Sequence, residues 1–336
     1  MIIPFFIPHA GCPHQCVFCN QKNITGQSSA IDPTEIQQTL RKHLGTNHSP
    51  EPVQAAFYGG SFTALPIDAQ RTYLEAVQPF IRSGQVQSIR LSTRPDAIHI
   101  ENLILLQEHH VSIIELGAQS LDDSVLTLSN RGHTAADTVT SVDMIRTRGF
   151  SLGLQLMVGL PGDSPEIFSN TITRTIQLKP DFVRLYPALV IKGTPLESLY
   201  TAGRYAPLSL DTAIRLCRDA LLRFEDAGID VIRIGLQPTE ELERPGTILA
   251  GPFHPAFRQL VVSSIFLERM RELLMQRVNV EKEVTFQVHS RELSAAIGLR
   301  RSNIDMLEKE FGLRKIRFVT YDASTVEHHP ILLSTV

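Results

Sequence analysis

Short apolar runs, rich in β-branched residues, alternate with longer amphipathic stretches through the N-terminal part of this 336-residue chain. This alternation is typical of repeated strand–helix units around a parallel sheet. Six strands are too few to close an eight-stranded barrel, so the pattern predicts an α/β fold, a partial TIM-like barrel of six β/α units. The predicted strands span residues 2–7, 53–58, 86–91, 111–116, 151–158 and 182–186.

The pattern changes after about Tyr205. A long helix (208–227), a strand (229–234) and a loop rich in Pro and Gly (235–255) follow, and then a second long helix that ends near residue 277. The last part alternates strand, two short helices and strand. We therefore expect a barrel core at residues 1–205 and a small C-terminal α/β extension at residues 206–336.

Charge and hydropathy exclude some classes of protein. The net charge is −3, with a pI near 6.5, so no global field attracts a polyanion and any RNA contact must be local. No stretch approaches the roughly twenty apolar residues that a membrane span needs, and the N-terminus lacks the basic start of a signal peptide. A cytoplasmic protein without a membrane partner is expected.

Three of the four cysteines fall within eight positions, Cys12, Cys16 and Cys19. Disulfide frameworks use even numbers and wider spacing, whereas clustered thiolates in a reducing compartment indicate a metal centre. Short loops let three thiolates converge on the corners of an iron–sulfur cubane and leave one iron open. The fourth, Cys217, has apolar neighbours at helical spacing and is predicted to be a buried core thiol.

A zinc site is the alternative use of the same thiolates. Structural zinc is closed by four ligands, so a fourth donor would be needed, for which His9 and His14 are available.

The predicted strands end in polar or glycine-rich sequences. Residues 58–62, 92–96, 117–120 and 159–162 each follow a strand, as the cysteines follow the first one. The carboxyl ends of parallel strands meet at one edge of the sheet, where the functional loops of such folds gather. These loops are therefore predicted to build one site.

The spacing C-x3-C-x2-C, with Phe18 directly before the third cysteine, resembles the motif of the radical SAM superfamily. The resemblance implies a [4Fe–4S] cluster on Cys12, Cys16 and Cys19 whose open iron binds S-adenosylmethionine (SAM). An external electron donor then allows SAM to be cleaved to a 5′-deoxyadenosyl radical. The cofactor carries this chemistry, and the protein orients it and excludes competing reactions.

The other strand ends match the SAM-contacting positions of the same superfamily. Gly59 and Gly60 resemble the pair whose backbone reaches the methionine amino group, and Arg131 resembles the arginine that pairs with the methionine carboxylate. The positions that contact the ribose in relatives hold polar residues here. With Phe18, the implied cofactor-binding residues are Gly59, Gly60, Ser92, Gln119, Arg131 and Gln155.

Several phrases resemble the radical SAM module of the Elongator catalytic subunit family, which modifies the wobble uridine of tRNA. They lie at residues 93–96, 115–120, 131–134, 157–162 and 185–194. The resemblance implies an RNA (tRNA) substrate. The chain ends about where the acetyltransferase domain of that family would begin, so acetyl transfer by this chain alone is not expected.

The residues that would contact the substrate lie in these phrases and in the extension. We expect substrate contacts from Arg94, Tyr186, Lys192 and His254. Six basic residues of the extension would present a surface to RNA, although a solvated face explains them as well. They are Arg291, Arg300, Arg301, Arg314, Lys315 and Arg317.

Two other functions stay open at the level of sequence. One is a small-molecule enzyme of the oxygen-independent coproporphyrinogen oxidase type, in which the apolar loop 249–255 closes over a compact ligand and His254 transfers a proton. The other is a delivery protein that binds the cluster and SAM without catalysis, as haem-chaperone relatives do.

Overall fold

The computed structural model describes residues 1–7, 10–20, 31–46, 51–277 and 282–322, and the backbone of residues 331–334. The predicted alternation of strands and helices is confirmed. The strands in chain order are β1 (Ile2–Phe6), β2 (Gln54–Tyr58), β3 (Ser88–Thr93), β4 (Val111–Gln119), β5 (Ser151–Val158), β6 (Phe182–Pro187), β7 (Val190–Ile191), β8 (Asp230–Ile234), β9 (Ile248–Ala250), β10 (Glu283–His289), β11 (Lys315–Tyr321) and β12 (Ile331–Ser334).

Longer helices connect these strands, and short helices follow several strand ends. The helices are α1 (Pro33–Thr46), α2 (Ile67–Arg82), α3 (Ile100–Glu108), α4 (Asp123–Leu128), α5 (Ala135–Thr147), α6 (Pro165–Leu178), α7 (Pro195–Thr201), α8 (Leu210–Asp226), α9 (Glu240–Glu243), α10 (Phe257–Met275), α11 (Leu293–Ile297) and α12 (Ser302–Phe311).

Strands β1 to β6 and β8 form one parallel sheet in the order β1-β2-β3-β4-β5-β6-β8. The predicted partial TIM-like barrel is confirmed, with seven strands in place of six. The additional strand, β8, was expected in the extension, but it pairs with β6, where Leu185 lies opposite Ile234. Because β7 and α7 lengthen the connection between them, the sequence spacing hides that α8 is an ordinary crossover helix of the sheet.

Side-chain caps fix where the helices after the strand ends begin. Thr134 and Asp137 form a reciprocal capping box at α5, and the Ser164 hydroxyl accepts a hydrogen bond from the Ile167 amide at α6. Each cap satisfies amide groups that the first turn leaves without partners and contributes about 1 kcal/mol. The loops before α5 and α6 therefore have defined ends.

The core lies between the sheet and its helices. Phe57 on β2 packs against Phe5 on β1 and against Phe62, with ring centroids 5.7 and 5.1 Å apart. All three rings are fully buried, and burial of each side chain contributes on the order of 2 kcal/mol. This packing holds the carboxyl ends of β1 and β2, from which two of the site loops leave.

The C-terminal part has the predicted β-α-α-β arrangement. Strands β10 and β11 are parallel, helices α11 and α12 lie between them in sequence, and β12 pairs antiparallel with β10. Helix α10 contacts α8 of the barrel on one side and α11 and α12 on the other. In the part of the chain that the structure describes, no helix is both long and apolar enough to cross a membrane.

Candidate functional site

The segment of residues 10–20, here called the cysteine loop, carries Cys12, Cys16 and Cys19. It lies at the carboxyl end of β1 and is anchored from two sides. The Val17 amide donates to the Ser129 carbonyl (3.1 Å), and the Asn130 side chain donates to the Gln15 carbonyl (2.8 Å). On the other side, the Leu196 amide at the start of α7 donates to the Val17 carbonyl (2.8 Å). Segments distant in sequence therefore hold the loop in place.

The three thiols differ in exposure. Cys12 is exposed, Cys16 is buried and Cys19 is half-buried, and all three are free cysteines. Phe18 packs between two apolar clusters, one with Val190 and Leu196 and the other with Met157 and Leu160. The aromatic side chain thus anchors the loop through apolar packing.

Two glycines let the backbone after β2 approach the cysteine loop. A Cβ atom on Gly60 would lie 2.5 Å from the carbonyl oxygens of both Ile7 and Ala10, and one on Gly11 would lie 2.3 Å from the Ser61 carbonyl oxygen. Gly59 has φ +86°, in the left-handed region that favours glycine. The glycine pair predicted to contact SAM therefore lies directly against the cysteine loop.

Arg131 connects the cysteine loop to β4. Its Nη1 donates to Cys16 Sγ (2.9 Å) and its Nη2 to the Gly117 carbonyl (2.5 Å). The guanidinium is buried, and its Nε has no hydrogen-bond partner among the described residues. Arg94, also buried, donates from Nη2 to the Arg131 carbonyl (2.5 Å) and from Nε to Asp96 (2.5 Å). Arg94 thus positions Arg131, while its predicted contact with the substrate stays a prediction.

Gln119 ends β4 in the left-handed region, with φ +67°. Its side chain is buried, and its Oε1 has no partner among the described residues. A buried polar atom without a hydrogen bond costs about 1–3 kcal/mol. Such atoms on both Gln119 and Arg131 fit a polar ligand that supplies their missing partners, as SAM would.

Ser92 on β3 and Gln155 on β5 lie on the face of the sheet that lines the inside of the barrel, in neighbouring rows of the strand register. In register, Ser92 lies opposite Glu115, and Gln155 lies opposite Arg184. Both side chains are half-buried. The predicted SAM residues thus lie on the inner face of the sheet or at its carboxyl end, although their individual contacts with SAM stay predictions.

A charged network on this inner face escaped the sequence interpretation. Glu115 accepts hydrogen bonds from Arg90 Nη2 (2.6 Å), Arg184 Nε (2.6 Å) and the Tyr58 hydroxyl (3.1 Å). Burial, and then the charge of Glu115, raise the pKa of Tyr58 well above its usual value. A charged residue between apolar neighbours in a short strand, as in residues 88–92, 113–117 and 182–186, is the signal that could have found the network.

The other residues predicted to contact the substrate lie at separate places. Tyr186 is half-buried on β6 and packs in the same apolar cluster as Phe18. Lys192 is exposed, and its carbonyl accepts a hydrogen bond from Asn20 (3.2 Å), next to the cysteine loop. His254 precedes α10, and its Nδ1 accepts a hydrogen bond from the Ala256 amide (3.0 Å).

The loop after β5 contains a buried carboxyl group. The Asp163 carboxyl accepts hydrogen bonds from the amides of Gly159 (2.9 Å) and Ser164 (3.0 Å). The Tyr205 hydroxyl donates to the Gly159 carbonyl (2.6 Å). Burial raises the pKa of Asp163 to about 6. These bonds close the loop 159–163 on itself at the site end of the sheet.

The structure describes one of the two histidines that could serve as a fourth zinc ligand. The His14 ring packs on Gly132, where a Cβ atom would lie 2.1 Å from the ring, and His9 lies outside the described residues. In the described ranges, no three His, Cys, Asp or Glu side chains are grouped closely enough to hold a single metal ion, and this includes the three cysteines of the motif. Cys217 is a core residue, as predicted, since it is fully buried on α8 and burial raises its thiol pKa to about 12.

Comparison with known proteins gives the chain its family. Residues 6–175 match the Radical SAM superfamily, and residues 180–266 match the Radical_SAM C-terminal domain. An uncharacterized protein of Methanocaldococcus jannaschii is 29% identical, covering 63% of this chain and 68% of its own length. A tRNA uridine(34) acetyltransferase of Dehalococcoides mccartyi is 27% identical, covering 62% of this chain and 53% of its own length.

Among solved structures, the archaeal Elp3 of Methanocaldococcus infernus, with its N-terminus deleted, has a TM-score of 0.62 at 20% identity. The match covers 80% of this chain and 63% of that chain, and it shows the shared fold. The chain spans about half the length of the curated transferase that it matches. Proteins of the matched family bind a [4Fe–4S] cluster and SAM, the groups that the cysteine loop and the unpaired polar atoms of Gln119 and Arg131 fit. The chain is an enzyme that belongs to the radical SAM superfamily.

Proposed function

We propose that this radical SAM enzyme modifies RNA, with tRNA as the substrate class, and that Cys12, Cys16 and Cys19 hold its cluster. The observation that carries the cofactor assignment is the contact between the buried Arg131 guanidinium and Cys16 Sγ, beside two polar atoms without partners. The named transferase relative, which acts on tRNA, supports the substrate class.

When bound, the cluster and SAM supply a 5′-deoxyadenosyl radical, with one electron from an external donor. The chain's own residues bind and orient these groups. Arg131 holds the loop through Cys16, and its Nε has no acceptor among the described residues, so it is available to a ligand carboxylate. Gln119, Ser92 and Gln155 are available to the hydroxyls of a ribose, and Gly59 and Gly60 leave backbone room beside them.

The surface offers RNA local rather than general attraction. The six basic residues of the extension are all exposed, but Arg314 and Arg317 both pair with Glu283, and Arg301 lies 3.9 Å from Asp305. Exposed Lys192 lies at the site end of the barrel itself. RNA bound at this end of the barrel would lie near the cysteine loop, since the Asn20 side chain donates to the Lys192 carbonyl there.

The experiment is anaerobic reconstitution of the protein with iron and sulfide, followed by reduction with dithionite in the presence of SAM. We expect 5′-deoxyadenosine to form, and to form faster when unmodified tRNA is added, because the substrate completes the site. Replacement of Cys12, Cys16 or Cys19 by Ala should remove both the cluster absorbance and the product. Cys217→Ala is the matched control and should retain both.

Other outcomes contradict the proposal in distinct ways. Acceleration by a porphyrinogen and not by tRNA would favour the small-molecule enzyme. A protein that binds SAM but forms no 5′-deoxyadenosine, even with cell extract as substrate, would favour the delivery protein. Intact cluster absorbance in all three cysteine variants would overturn the cluster assignment.

A further inference from the structure

The inner face of the barrel carries more positive than negative charge. Arg90, Arg184 and Glu115 are joined in one network, in which a single carboxylate serves two guanidinium groups. Arg233 on β8 lies directly opposite Arg184 in the register of the sheet. Three arginines thus face one glutamate, and the excess lies toward β8, at the edge of the sheet.

Arg233 differs from the other two arginines of this face in its contacts. Arg90 and Arg184 both make hydrogen bonds to Glu115, and Arg184 lies 5.8 Å from the centre of the Tyr58 ring. Among the described residues, the Arg233 side chain makes neither a hydrogen bond nor an ion pair, although its charge acts on Tyr186 of the neighbouring strand. The guanidinium is half-buried and has five N–H donors, for which the described residues provide no acceptor. The protein alone therefore stabilises it poorly.

A cavity of about 220 Å³ lies beside this side chain, at the carboxyl end of β8. Its lining includes Arg233 and Arg258, and none of the described residues that line it is acidic. The cavity is several times larger than the roughly 30 Å³ that one water occupies in the liquid. It lies at the same end of the sheet as the cysteine loop, because both β1 and β8 run parallel in one sheet.

The second arginine of the cavity is held in place by the strand. Arg258 Nη1 donates to the Val231 carbonyl (2.8 Å), which fixes the side chain against β8. Burial lowers the pKa of Arg258, and the charge of Arg233 acts in the same direction, while Glu225 and Glu292 oppose it. Both arginines line the same cavity, and an anion bound between two like charges would offset their repulsion.

We infer that Arg233 and Arg258 bind a phosphate group of the RNA substrate in the cavity at the end of β8. This inference rests on the proposed function and extends it by naming the side of the barrel on which the substrate backbone lies. A guanidinium fork matches the oxygens of a phosphate, and phosphate contacts position a nucleic acid without reading its sequence. The phosphate would hold the target nucleoside over the inner face while Gln155 and Arg184 lie behind it.

The test compares Arg233→Gln and Arg258→Gln with the matched control Arg215→Gln, which removes the same charge from an exposed position on α8. Binding of tRNA is measured at several salt concentrations, and binding of uridine 5′-monophosphate and of uridine by NMR titration. Circular dichroism confirms that each variant is folded. If one cavity variant fails to fold, the other variant and Arg233→Lys are compared with the control instead.

We expect each cavity variant to bind uridine 5′-monophosphate about tenfold more weakly or worse, since a charge-assisted hydrogen bond is lost, with uridine binding unchanged. The slope of log K against log salt for tRNA should become shallower by about 0.7 to 0.9 per lost phosphate contact. Arg215→Gln should behave as the wild type does in all three measurements.

Unchanged tRNA slopes and unchanged nucleotide affinity in both cavity variants would overturn the inference and leave the proposed function standing. If the wild type binds the monophosphate through Arg233 but does not bind tRNA, the phosphate site stands and the RNA substrate is wrong. If the wild type binds neither probe, both proposals fail.

Discussion

At the scale of single residues, one guanidinium organises the candidate site. Arg131 joins Cys16, which lies 115 positions earlier in the chain, to the carbonyl of Gly117. A cation beside a thiolate stabilises the charged sulfur that binds metal. The contact also fixes the orientation in which the remaining donor, Nε, meets a ligand. Arg131 therefore serves both the cluster loop and the cofactor pocket.

Buried His133, two residues further on, makes stability depend on pH. Burial, and then the charge of Arg131, lower the pKa of His133 to about 4, from about 6.5 in the unfolded chain. The unfolded state thus binds the proton first, so stability is complete above pH 6.5 and falls as the pH drops toward 4. The loss should reach at most about 3 kcal/mol.

Chemical denaturation at pH 7.5 and at pH 5 measures this loss. The His133→Gln variant cannot bind the proton, so its stability should change less between the two pH values than that of the wild type. Equal pH dependence in the two proteins would show that His133 has the same pKa in the folded and unfolded states.

Residue patterns alone predicted part of this site. The spacing of Cys12, Cys16 and Cys19 and the glycine pair after β2 could be recognised because each lies within a few consecutive positions. The contact of Arg131 with Cys16 and the bonds of Glu115 could not, because they join segments far apart in the chain that come together only in the fold. Sequence periodicity shows which face a side chain lies on, but not which side chain lies opposite.

At the scale of elements, the sheet uses small residues where its inner face is crowded. Gly153 on β5 lies opposite Phe182 on β6, and a Cβ atom there would lie 2.3 Å from the phenyl ring. The ring in turn lies 5.3 Å from the guanidinium carbon of Arg90. The absence of a side chain at residue 153 thus leaves room for the ring that covers the charged network.

The Gly153→Ala substitution should lower the free energy of unfolding by about 1–3 kcal/mol, because the added methyl group forces the Phe182 ring out of its place. Gly45→Ala is the control in α1, where a Cβ atom would meet nothing within 4 Å. It should stabilise the protein by about 0.5–1 kcal/mol, as alanine favours a helix over glycine. Urea denaturation measures both, and an unchanged midpoint for Gly153→Ala would contradict the crowding.

The seventh strand, β8, could be predicted as an element, but its place in the sheet could not. The run 229–234 was recognisable as a strand, but its partner was not, because apolar alternation does not state which neighbour a strand pairs with. Only the register of β8 on β6 places Arg233 beside Arg184. The sequence therefore could not predict the cavity at the end of β8, although it contains both of the arginines that line it.

At the scale of the whole molecule, α10 joins the barrel to the C-terminal part. Asn303 on α12 donates from Nδ2 to the carbonyls of Ser263 on α10 (2.9 Å) and of Ala295 (3.2 Å) and Ala296 (3.1 Å) on α11. The side chain is buried. One amide group therefore ties three helices together at the place where the C-terminal sheet meets the barrel.

Replacement of Asn303 by Ala should loosen this attachment, since three buried carbonyl groups lose a donor at a cost of about 1–3 kcal/mol. Hydrogen exchange should accelerate in α11, α12 and β10, with little change in β2 to β5. Ser294→Ala, an exposed neighbour on α11, should leave exchange unchanged. Equal acceleration throughout the barrel would instead mean that both parts unfold as one unit.

The order of the seven strands has a consequence for how the protein folds during its synthesis on the ribosome. Each of β2 to β6 and β8 pairs with the barrel strand made just before it, so the sheet can grow from one edge to the other as the chain emerges. The cysteine loop, made first, gains its last backbone anchors only after Ser129, Asn130 and finally Leu196 have been synthesised. Delivery of iron and sulfide to the nascent chain would therefore be premature until more than half of the protein exists.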